Sequence, residues 1–191
     1  MPTPLILAST SRYRRELLAR LGLPFTVASP HVDENQWAGE SPFDNCRRLA
    51  QEKAAAVAAG HPDAVVIGSD QVLDLDGEAL SKPGDFATAL VQLERCQGRT
   101  IVCYTALCVL APGQPARVDV VPTEIAYRSL PRGELVSYLE REQPFDAAGA
   151  VKVETAGIAL LKAVRSDDPT AIIGLPLIRL VDFLRDARVL G

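Results

Sequence analysis

Residues 64–71 read Ala-Val-Val-Ile-Gly-Ser-Asp-Gln. Residues 64–68 form an apolar run, which is typical of a strand in the middle of a sheet that is covered on both faces. Asp70 comes just after this predicted strand, in the place where ligands bind in open α/β sheets. A carboxylate there can hold a divalent metal or act as a general base on water. An aspartate beside serine and glycine also shapes turns, so the stretch alone leaves both interpretations open.

Helical and strand-like segments alternate on both sides of this strand. Further strands are predicted at residues 5–8, 25–28, 100–110, 117–127 and 158–164, and a hairpin at 72–80 turns at Asp76 and Gly77. Helices are predicted at residues 13–21, 42–59, 85–96, 131–142 and 175–189. This order predicts an α/β fold in which helices flank a mixed central sheet. Because no repeat and no long linker interrupts it, residues 1–191 are expected to form a single domain.

Composition limits the function classes. Of the 191 residues, 48% are hydrophobic and 23% are charged, which is ordinary for a globular protein. The formal net charge of -4 argues against a general nucleic-acid binder, whose affinity comes largely from Lys and Arg on phosphates. A small anionic ligand in a local basic pocket remains compatible with this charge.

The sequence also predicts a cytoplasmic protein with no membrane segment. No basic region precedes the short apolar run at residues 5–8, and no window approaches the roughly 18 apolar residues of a spanning helix. The four cysteines show no metal-binding spacing and are expected to be reduced and structural: Cys46, Cys96, Cys103 and Cys108.

A basic segment, residues 9–15, joins the first strand to the first helix and reads Ser-Thr-Ser-Arg-Tyr-Arg-Arg. The first turn of a helix favours anions, so three arginines there are unfavourable unless an anion lies among them. A polyphosphate bound by backbone N–H groups, serine hydroxyls and guanidinium groups would fit. Equally, the arginines could lie on a solvated face while Ser11 caps the helix.

Other candidate ligands are scattered along the chain. Asp33 and Glu34 lie in the polar loop after the second strand, where a carboxylate could bind a hard cation or simply be solvated. Lys53 lies on the second helix and Lys82 follows the hairpin; each could reach a phosphate, although lone lysines are usually surface residues. Motifs of zinc peptidases, serine hydrolases, P-loop proteins and dinucleotide-binding proteins are all missing from the sequence.

Taken together, these motifs resemble the Maf (septum formation inhibitor-like) family. The likeness covers essentially the whole chain, and the order and spacing of the short motifs make it specific. The segments that carry it are residues 5–11 with Arg14-Arg15, then 32–34, 50–54, 68–71, 82–83, 145–149 and 173–177.

The resemblance implies an enzyme that hydrolyses the α–β phosphoanhydride of nucleotides with a divalent cation, Mg²⁺ or Mn²⁺. It implies a fold like that of inosine triphosphatase, with two lobes and a deep cleft, and a homodimer. Asp70 would be the catalytic base and a metal ligand, and Glu34 a second metal ligand. The phosphate contacts would be Ser9, Arg14, Lys53 and Lys82.

Within the family, Gln71 and Glu154 resemble the branch that acts on 7-methyl-GTP and so removes a modified nucleotide from the pool. The Glu154 carboxylate could accept hydrogen bonds from the guanine N1–H and N2–H₂ groups. Tyr13 could stack on the cationic methylated base, although relatives usually have a tryptophan near this position. Two alternatives stay open: a pyrimidine (dTTP/UTP) nucleotide pyrophosphatase, and a nucleotide-binding regulator of cell division without turnover.

Overall fold

The computed structural model describes residues 3–190, so residues 1–2 and 191 of the predicted single domain lie outside the described part. The strands are β1 (Leu5–Ala8), β2 (Thr26–Ala28), β3 (Val65–Leu75), β4 (Glu78–Leu80), β5 (Thr100–Leu110), β6 (Arg117–Tyr127) and β7 (Leu161–Arg165). The α-helices are α1 (Arg12–Ala19), α2 (Pro42–Ala58), α3 (Phe86–Cys96), α4 (Arg132–Glu142) and α5 (Leu177–Asp186). Short 3₁₀ helices span Ala148–Ala150, Ala156–Leu160 and Ala171–Ile173.

The strands form one mixed sheet in the order β2-β1-β3-β5-β6-β7, with β4 paired to β3 off this path. β1 is parallel to both β2 and β3, whereas β3, β5, β6 and β7 pair antiparallel. The short turn between β5 and β6 requires their antiparallel pairing, because adjacent strands joined by a short turn must run in opposite directions. The predicted α/β class with a mixed central sheet is confirmed.

Helices cover both faces of the sheet, as predicted, and alternate residues of β3 show how. Val66 contributes to the apolar cluster under α2, on one face. Ile67 lies on the other face, in a cluster with α1 and α5, and Leu73 lies farther along that same face, in a cluster with α3 and α4. Two separate apolar clusters therefore stand at opposite ends of β3 on one face of the sheet. The predicted division into two lobes with a deep cleft stays a prediction.

The strand around Asp70 is longer than predicted. The sequence indicated a strand at 64–68 followed by a separate hairpin, whereas β3 runs without a break from Val65 to Leu75. The polar residues Ser69 and Gln71 looked like the end of a strand, but their side chains bond to backbone carbonyls of a distant loop. The prediction that Asp70 lies just beyond a strand end is therefore wrong, because Asp70 lies within β3.

Smaller differences concern element ends. The segment predicted as strand at 158–164 begins as the 3₁₀ helix Ala156–Leu160, and β7 follows it. α5 is shorter than the predicted 175–189, because Pro176 stands at its N-cap and Arg188, with a φ of 56°, lies beyond its end. The hairpin turn at Asp76 and Gly77 is present as predicted, with both residues at positive φ.

The four cysteines lie in the apolar interior. All four cysteines are free thiols and buried, and burial raises the pKa of Cys103 and of Cys108 to about 12. Thiols with such pKa values stay protonated at neutral pH and behave as small apolar side chains.

Within residues 3–190, no helix has both the length and the apolar character needed to span a membrane.

Candidate active site

A notch in the edge of the sheet places Asp70. On one side of β3, parallel pairing with β1 ends at Ala8 and Gly68, and pairing with β4 begins only at Leu73. Between these points, residues 69–72 have no strand beside them on that edge in the described part of the chain. The notch thus lies at the carboxyl end of β1, which is a position where α/β sheets bind ligands. Asp70 is still only 7% exposed there.

Gly68 brings helix α2 against the sheet beside the notch. A Cβ atom at Gly68 would stand 2.3 Å from the backbone oxygen of Ala50 and 2.7 Å from the backbone nitrogen of Ala54. Only a residue without a side chain permits this approach of helix to strand. As a result Lys53, on α2, lies next to Asp70 on β3 and is itself 5% exposed.

Lys53 is shared between two carboxylates. Its Nζ lies 2.7 Å from Oδ1 of Asp70 and 2.5 Å from Oε1 of Glu34. Asp70 and Glu34 are therefore brought together, as the resemblance implied, but they meet around an ammonium group. Burial opposes the ionisation of Glu34, but the hydrogen bond and charge of Lys53, helped by the charges of Lys82 and Arg14, hold its pKa below the usual value.

The loop that carries Glu34 is held by Arg48 of α2. The Arg48 guanidinium donates to both carboxylate oxygens of Glu40, at 2.7 and 2.9 Å, and to the backbone oxygen of Asn35 at 3.1 Å. The same guanidinium lies 4.1 Å from the ring centroid of Trp37. Residues 29–40 contain no helix or strand, so these contacts fix the segment that presents Glu34.

The start of helix α1 faces the same notch. Ser11 is the N-cap and accepts a hydrogen bond from the backbone N–H of Arg14, as one of the two interpretations of this segment required. Arg14 turns its Nε toward the backbone oxygen of Gly174 at 2.9 Å, which directs the side chain across the notch. Arg12 instead pairs with Glu16 on the exposed surface. The buried Ser9 accepts from the backbone N–H of Ser11.

The loop at residues 171–174, which includes the 3₁₀ helix Ala171–Ile173, is bound to the floor of the site by three side chains. The sequence did not predict these contacts. Ser69 donates to the Gly174 oxygen at 3.0 Å, and buried Thr105 donates to the Ala171 oxygen at 2.8 Å. Gln71 donates from Nε2 to the oxygens of Ala171 and Ile172, both at 3.0 Å. Gln71 therefore lines the cavity, but its amide N–H groups donate to this loop.

A second group of polar side chains lies in the loop at residues 146–154. Tyr13 of α1, Asp146, Lys152 and Glu154 all line the cavity. Lys152 Nζ lies 2.6 Å from Oδ1 of Asp146. The hydrogen bond with Lys152, opposed by some burial, holds the pKa of Asp146 below its usual value. Apolar side chains, including Leu73 and Ile125, line the wall of the cavity as well.

One cavity of about 1110 Å³ unites all of these groups. Asp33, the other candidate carboxylate of the loop, does not line it and accepts hydrogen bonds from Asn35 instead. The cavity is lined by the remaining predicted site residues: Ser9, Tyr13, Arg14, Glu34, Lys53, Asp70, Gln71, Lys82 and Glu154. A cavity of this size and polarity accommodates a ligand as large as a nucleotide. The fold brings these nine residues to one cavity, and the role of each residue remains a prediction.

The residues fit a hard divalent cation. Asp70 and Glu34 are oxygen donors close enough to share one ammonium, and Mg²⁺ is commonly held by one or two carboxylates together with substrate phosphates. Among residues 3–190 no group of three or more His, Cys, Asp and Glu side chains is arranged to hold a metal by itself. A cation here would thus need oxygens from the substrate to complete its shell.

Arg48 and Asp168 stabilise segments around the site, and the sequence predicted neither role. Arg48 lies four residues before Glu52 and accordingly pairs with it at 3.0 Å, but its bonds to Glu40 and Asn35 depend on the course of an irregular loop. Asp168 precedes Thr170 in an Asx-type turn and accepts from the Ile178 backbone N–H at 2.7 Å, which stabilises the start of α5. Neither residue belongs to a pattern that indicates its tertiary partner.

The comparison with known proteins places the chain in a family. Residues 4–187 match the family described as Maf-like protein, so the chain belongs to the Maf family. Among its relatives, the 7-methyl-GTP pyrophosphatase of Bordetella pertussis is 52% identical over 96% of this chain and 92% of its own length. The 7-methyl-GTP pyrophosphatase of Ralstonia nicotianae is 53% identical over 97% of this chain and 96% of its own length.

Solved structures resemble the chain only weakly. The Ham1 protein of Staphylococcus aureus aligns with a TM-score of 0.48 at 17% identity, over 65% of this chain and 71% of that protein. A dITP/XTP pyrophosphatase of Mycobacterium abscessus aligns with a TM-score of 0.42 at 18% identity, over 67% of this chain and 76% of that protein. The fold of this chain is therefore defined by its own strand order and helix positions.

Proposed function

We propose that this Maf-family chain is a nucleoside triphosphate pyrophosphatase that hydrolyses 7-methyl-GTP to 7-methyl-GMP and pyrophosphate. The observation that carries the proposal is the meeting of Asp70, Glu34 and Lys53 in a sheet notch, inside a cavity that holds further cations on one side and Glu154 on another. Relatives at 52% and 53% identity that bear this activity in their names support it.

The cationic end of the cavity suits a polyphosphate. Arg14 uses only Nε within the described part of the chain, so its two terminal nitrogens are available to an anion. Lys82 is exposed at the cavity wall, and its charge is felt by both Glu34 and Asp146. The start of α1, capped by Ser11, adds the positive end of a helix dipole. These groups would neutralise charge that develops on the phosphates as the anhydride breaks.

Asp70 is the group proposed to take a proton from water. One of its oxygens, Oδ1, is occupied by Lys53, whereas Oδ2 forms no hydrogen bond within residues 3–190. Water attacks the α-phosphorus while its proton passes to Oδ2. The bond between the α-phosphorus and the α–β bridging oxygen breaks, and pyrophosphate leaves with that oxygen. Lys53 keeps the carboxylate oriented, because an ammonium at 2.7 Å fixes the side-chain rotamer.

Asp70 and Glu34 would hold a divalent cation, Mg²⁺ or Mn²⁺, which when bound would supply positive charge to the phosphate oxygens. Lys53 already lies between the two carboxylates, so it shares their charge with any cation that binds there. We propose that Lys53, from its place beside Asp70, also contacts the phosphates, which is the role that the family resemblance assigned to it.

Glu154 and Tyr13 are proposed to recognise the base. Both line the cavity, and the Glu154 carboxylate is exposed and free of hydrogen bonds within the described residues. It can accept from the N1–H and N2–H₂ groups of guanine, which pyrimidines cannot offer in that arrangement. Gln71 would influence the choice of base indirectly, through the loop 171–174 that it fixes.

The test is pyrophosphate release from 7-methyl-GTP, GTP, dTTP and UTP with Mg²⁺ or Mn²⁺. Wild type is expected to turn over 7-methyl-GTP with the highest kcat/KM, and Asp70→Asn to lose at least about a hundredfold in kcat, a usual size for general base catalysis. Circular dichroism and thermal melting check that Asp70→Asn stays folded.

Other outcomes decide between the alternatives. Higher kcat/KM for dTTP and UTP would assign the chain to the pyrimidine branch and leave the reaction class intact. Tight nucleotide binding without turnover would favour a binding regulator of cell division. Full turnover by Asp70→Asn would show that another group takes the proton.

Cellular location, assembly and domain extent are proposed from the sequence alone. We retain a cytoplasmic location, a homodimer and one domain over residues 1–191 as proposals, with a nucleotide rather than a nucleic acid as the partner. Analytical ultracentrifugation tests the homodimer directly.

A further inference from the structure

The ion pair between Asp146 and Lys152 lies inside the cavity and has no part in the reaction described above. Lys152 Nζ lies 2.6 Å from Oδ1 of Asp146, and the Lys152 side chain is 18% exposed whereas that of Asp146 is 72% exposed. Lys152 and Glu154 are two residues apart and both line the cavity together with Tyr13. A largely buried lysine thus lines the same cavity as Glu154, the carboxylate proposed to recognise the base.

The backbone around Lys152 is rigidly held. Its N–H donates to the hydroxyl of buried Tyr138 at 3.3 Å, and its carbonyl accepts from both the N–H and the hydroxyl of Thr155 at 3.2 Å. Gly157 packs against the same peptide, because a Cβ at Gly157 would meet the Lys152 oxygen at 2.5 Å. The turn from Lys152 to Thr155 therefore presents the side chains of Lys152 and Glu154 from a fixed scaffold.

The charge state of this group is also defined. Burial opposes the charge of Lys152, but the hydrogen bond and charge of Asp146, with Tyr13 and Glu154 nearby, hold the pKa of Lys152 above its usual value. Lys152 is therefore an ammonium donor at neutral pH. Since the Asp146 carboxylate takes only part of its three-donor capacity, further N–H groups can reach an acceptor in the cavity.

We propose that Lys152, held by Asp146, is a specificity-determining residue that donates a hydrogen bond to the O6 atom of the guanine base. This inference rests on the proposed function, because it assumes that a guanine base lies beside Glu154. It deepens that function by assigning the acceptor on the base edge that Glu154, itself an acceptor, cannot recognise.

The chemistry of the guanine edge matches the pair of side chains. Guanine offers one acceptor, O6, next to two donors, N1–H and N2–H₂. Lys152 and Glu154, on one turn, supply a donor for O6 and an acceptor for N1–H and N2–H₂. Adenine has a donor at position 6 and would face the ammonium unfavourably.

The net charge of the group also fits the methylated base. Asp146, Lys152 and Glu154 together carry one net negative charge. The base of a 7-methylguanine nucleotide carries one positive charge. Lys152 can therefore donate to O6 while Asp146 and Glu154 offset its charge, and the nearby Lys82 brings the sum of these four charges to zero rather than to a positive value. Without Asp146, the ammonium and Glu154 would cancel, and the preference for the methylated base would fall.

The test measures binding of two product analogues by isothermal titration calorimetry. The probes are 7-methyl-GMP and its 6-thio form, whose sulfur is a weak acceptor. Wild type is expected to bind the 6-oxo form about tenfold more tightly, and Lys152→Met to bind both forms equally. Lys152→Arg, which keeps a donor, should recover part of the preference. Lys162→Met removes an exposed lysine of β7 outside the cavity and should behave as wild type.

Several outcomes overturn the inference. A Lys152→Met variant that melts like wild type and keeps its preference for the 6-oxo form would show that another group reads O6. An equal loss of kcat/KM for 7-methyl-GTP and UTP in Lys152→Met would assign Lys152 to phosphate binding instead. If wild type prefers UTP to 7-methyl-GTP, the proposed function fails and takes this inference with it. If wild type prefers 7-methyl-GTP while Lys152→Met keeps its O6 preference, only the inference fails.

Asp146 is a positioning residue in this scheme, and a separate measurement tests that role. Asp146→Asn should raise KM for 7-methyl-GTP about tenfold while kcat stays within about twofold, because the reacting groups are untouched. It should also shrink the ratio of 7-methyl-GTP to GTP in kcat/KM, since one negative charge is lost. A merely structural role would lower the melting temperature and affect all nucleotides alike.

Discussion

At the scale of single residues, the position of Lys53 has the largest chemical consequence. Its ammonium lies 2.5 Å from a Glu34 oxygen and 2.7 Å from an Asp70 oxygen, so it occupies the space that a divalent cation bound to both would share. Two carboxylates beside one ammonium retain one net negative charge instead of two, which weakens their attraction for a cation. The phosphates of a substrate would change this balance, because they would share the charge of Lys53 and add their own oxygens.

Lys53→Met should therefore bind Mn²⁺ more tightly in the absence of nucleotide. We expect an affinity about tenfold higher than that of wild type, measured by electron paramagnetic resonance of free Mn²⁺ at pH 8, and a loss of turnover. The same measurement on Lys162→Met, an exposed lysine outside the cavity, serves as the control. Unchanged or weaker Mn²⁺ binding in Lys53→Met would mean that the two carboxylates do not form the cation site.

At the scale of secondary-structure elements, Gly68 controls how closely helix α2 approaches strand β3. A Cβ at this position would come within 2.3 Å of the Ala50 oxygen and 2.7 Å of the Ala54 nitrogen, and neither backbone atom can move without displacing the helix. Gly68→Ala is expected to destabilise the protein by about 3 kcal/mol, the upper part of the usual range for overpacking. It should also lower activity, because Lys53 would move with α2.

Thermal melting measures this effect. About 3 kcal/mol corresponds to a decrease in Tm of roughly 6–12 °C for a chain of this size. Gly133→Ala is the matched control, because a Cβ at Gly133 in α4 meets nothing within 4 Å. That control should leave stability unchanged or raise it by up to about 1 kcal/mol. Equal melting of the two variants would show that the helix–strand contact is looser than described.

The loop at residues 29–40 gives a prediction about pH. The hydrogen bond from Arg48 lowers the pKa of Glu40, despite some burial, and the Trp37 N–H adds to this. A carboxyl whose pKa is lower in the folded state stabilises the fold above its unfolded pKa of about 4.3, and this contribution is lost as pH falls through the folded value. The difference in Tm between wild type and Glu40→Gln should therefore be largest near pH 7 and disappear at acid pH.

Melting curves from pH 7 to pH 3 test this dependence. Glu140→Gln, an exposed glutamate on α4 without hydrogen bonds in the described part of the chain, is the control and should match wild type throughout. A Tm difference for Glu40→Gln that does not change with pH would mean that the ionised carboxylate is not what stabilises the loop.

Elements also show what can be read from sequence. The apolar runs of β1 and the first half of β3 were predictable, because burial on both faces leaves an unbroken apolar pattern. The continuity of β3 through residues 69–71 was not, because Ser69 and Gln71 find their partners 105 and 100 residues away. The residues gathered in the cavity were predicted through motif resemblance, whereas the ion pairs of Lys53 and the hydrogen bonds of Arg48 depend on loop geometry that no local pattern encodes.

At the scale of the whole molecule, the cavity touches both apolar clusters on one face of the sheet. Ile173 packs on the cluster of α1 and α5, while Leu73 and Ile125 belong to the cluster of α3 and α4, and all three line the cavity. A nucleotide that fills the cavity would therefore contact both clusters, which lie at the two ends of β3. Its binding free energy should stabilise the whole fold rather than one half of it.

Ligand-induced stabilisation of Asp70→Asn tests this coupling without turnover. With Mg²⁺ and 7-methyl-GTP at about 100 times Kd, linkage predicts about 2.7 kcal/mol of added stability. For a chain of this size that raises Tm by roughly 5–11 °C, in a single transition. UTP at the same concentration should give a smaller increase, because it offers Glu154 no guanine edge. Two separate transitions, of which only one shifts, would show that the clusters unfold independently. Equal shifts with UTP would remove the base-reading role from the cavity.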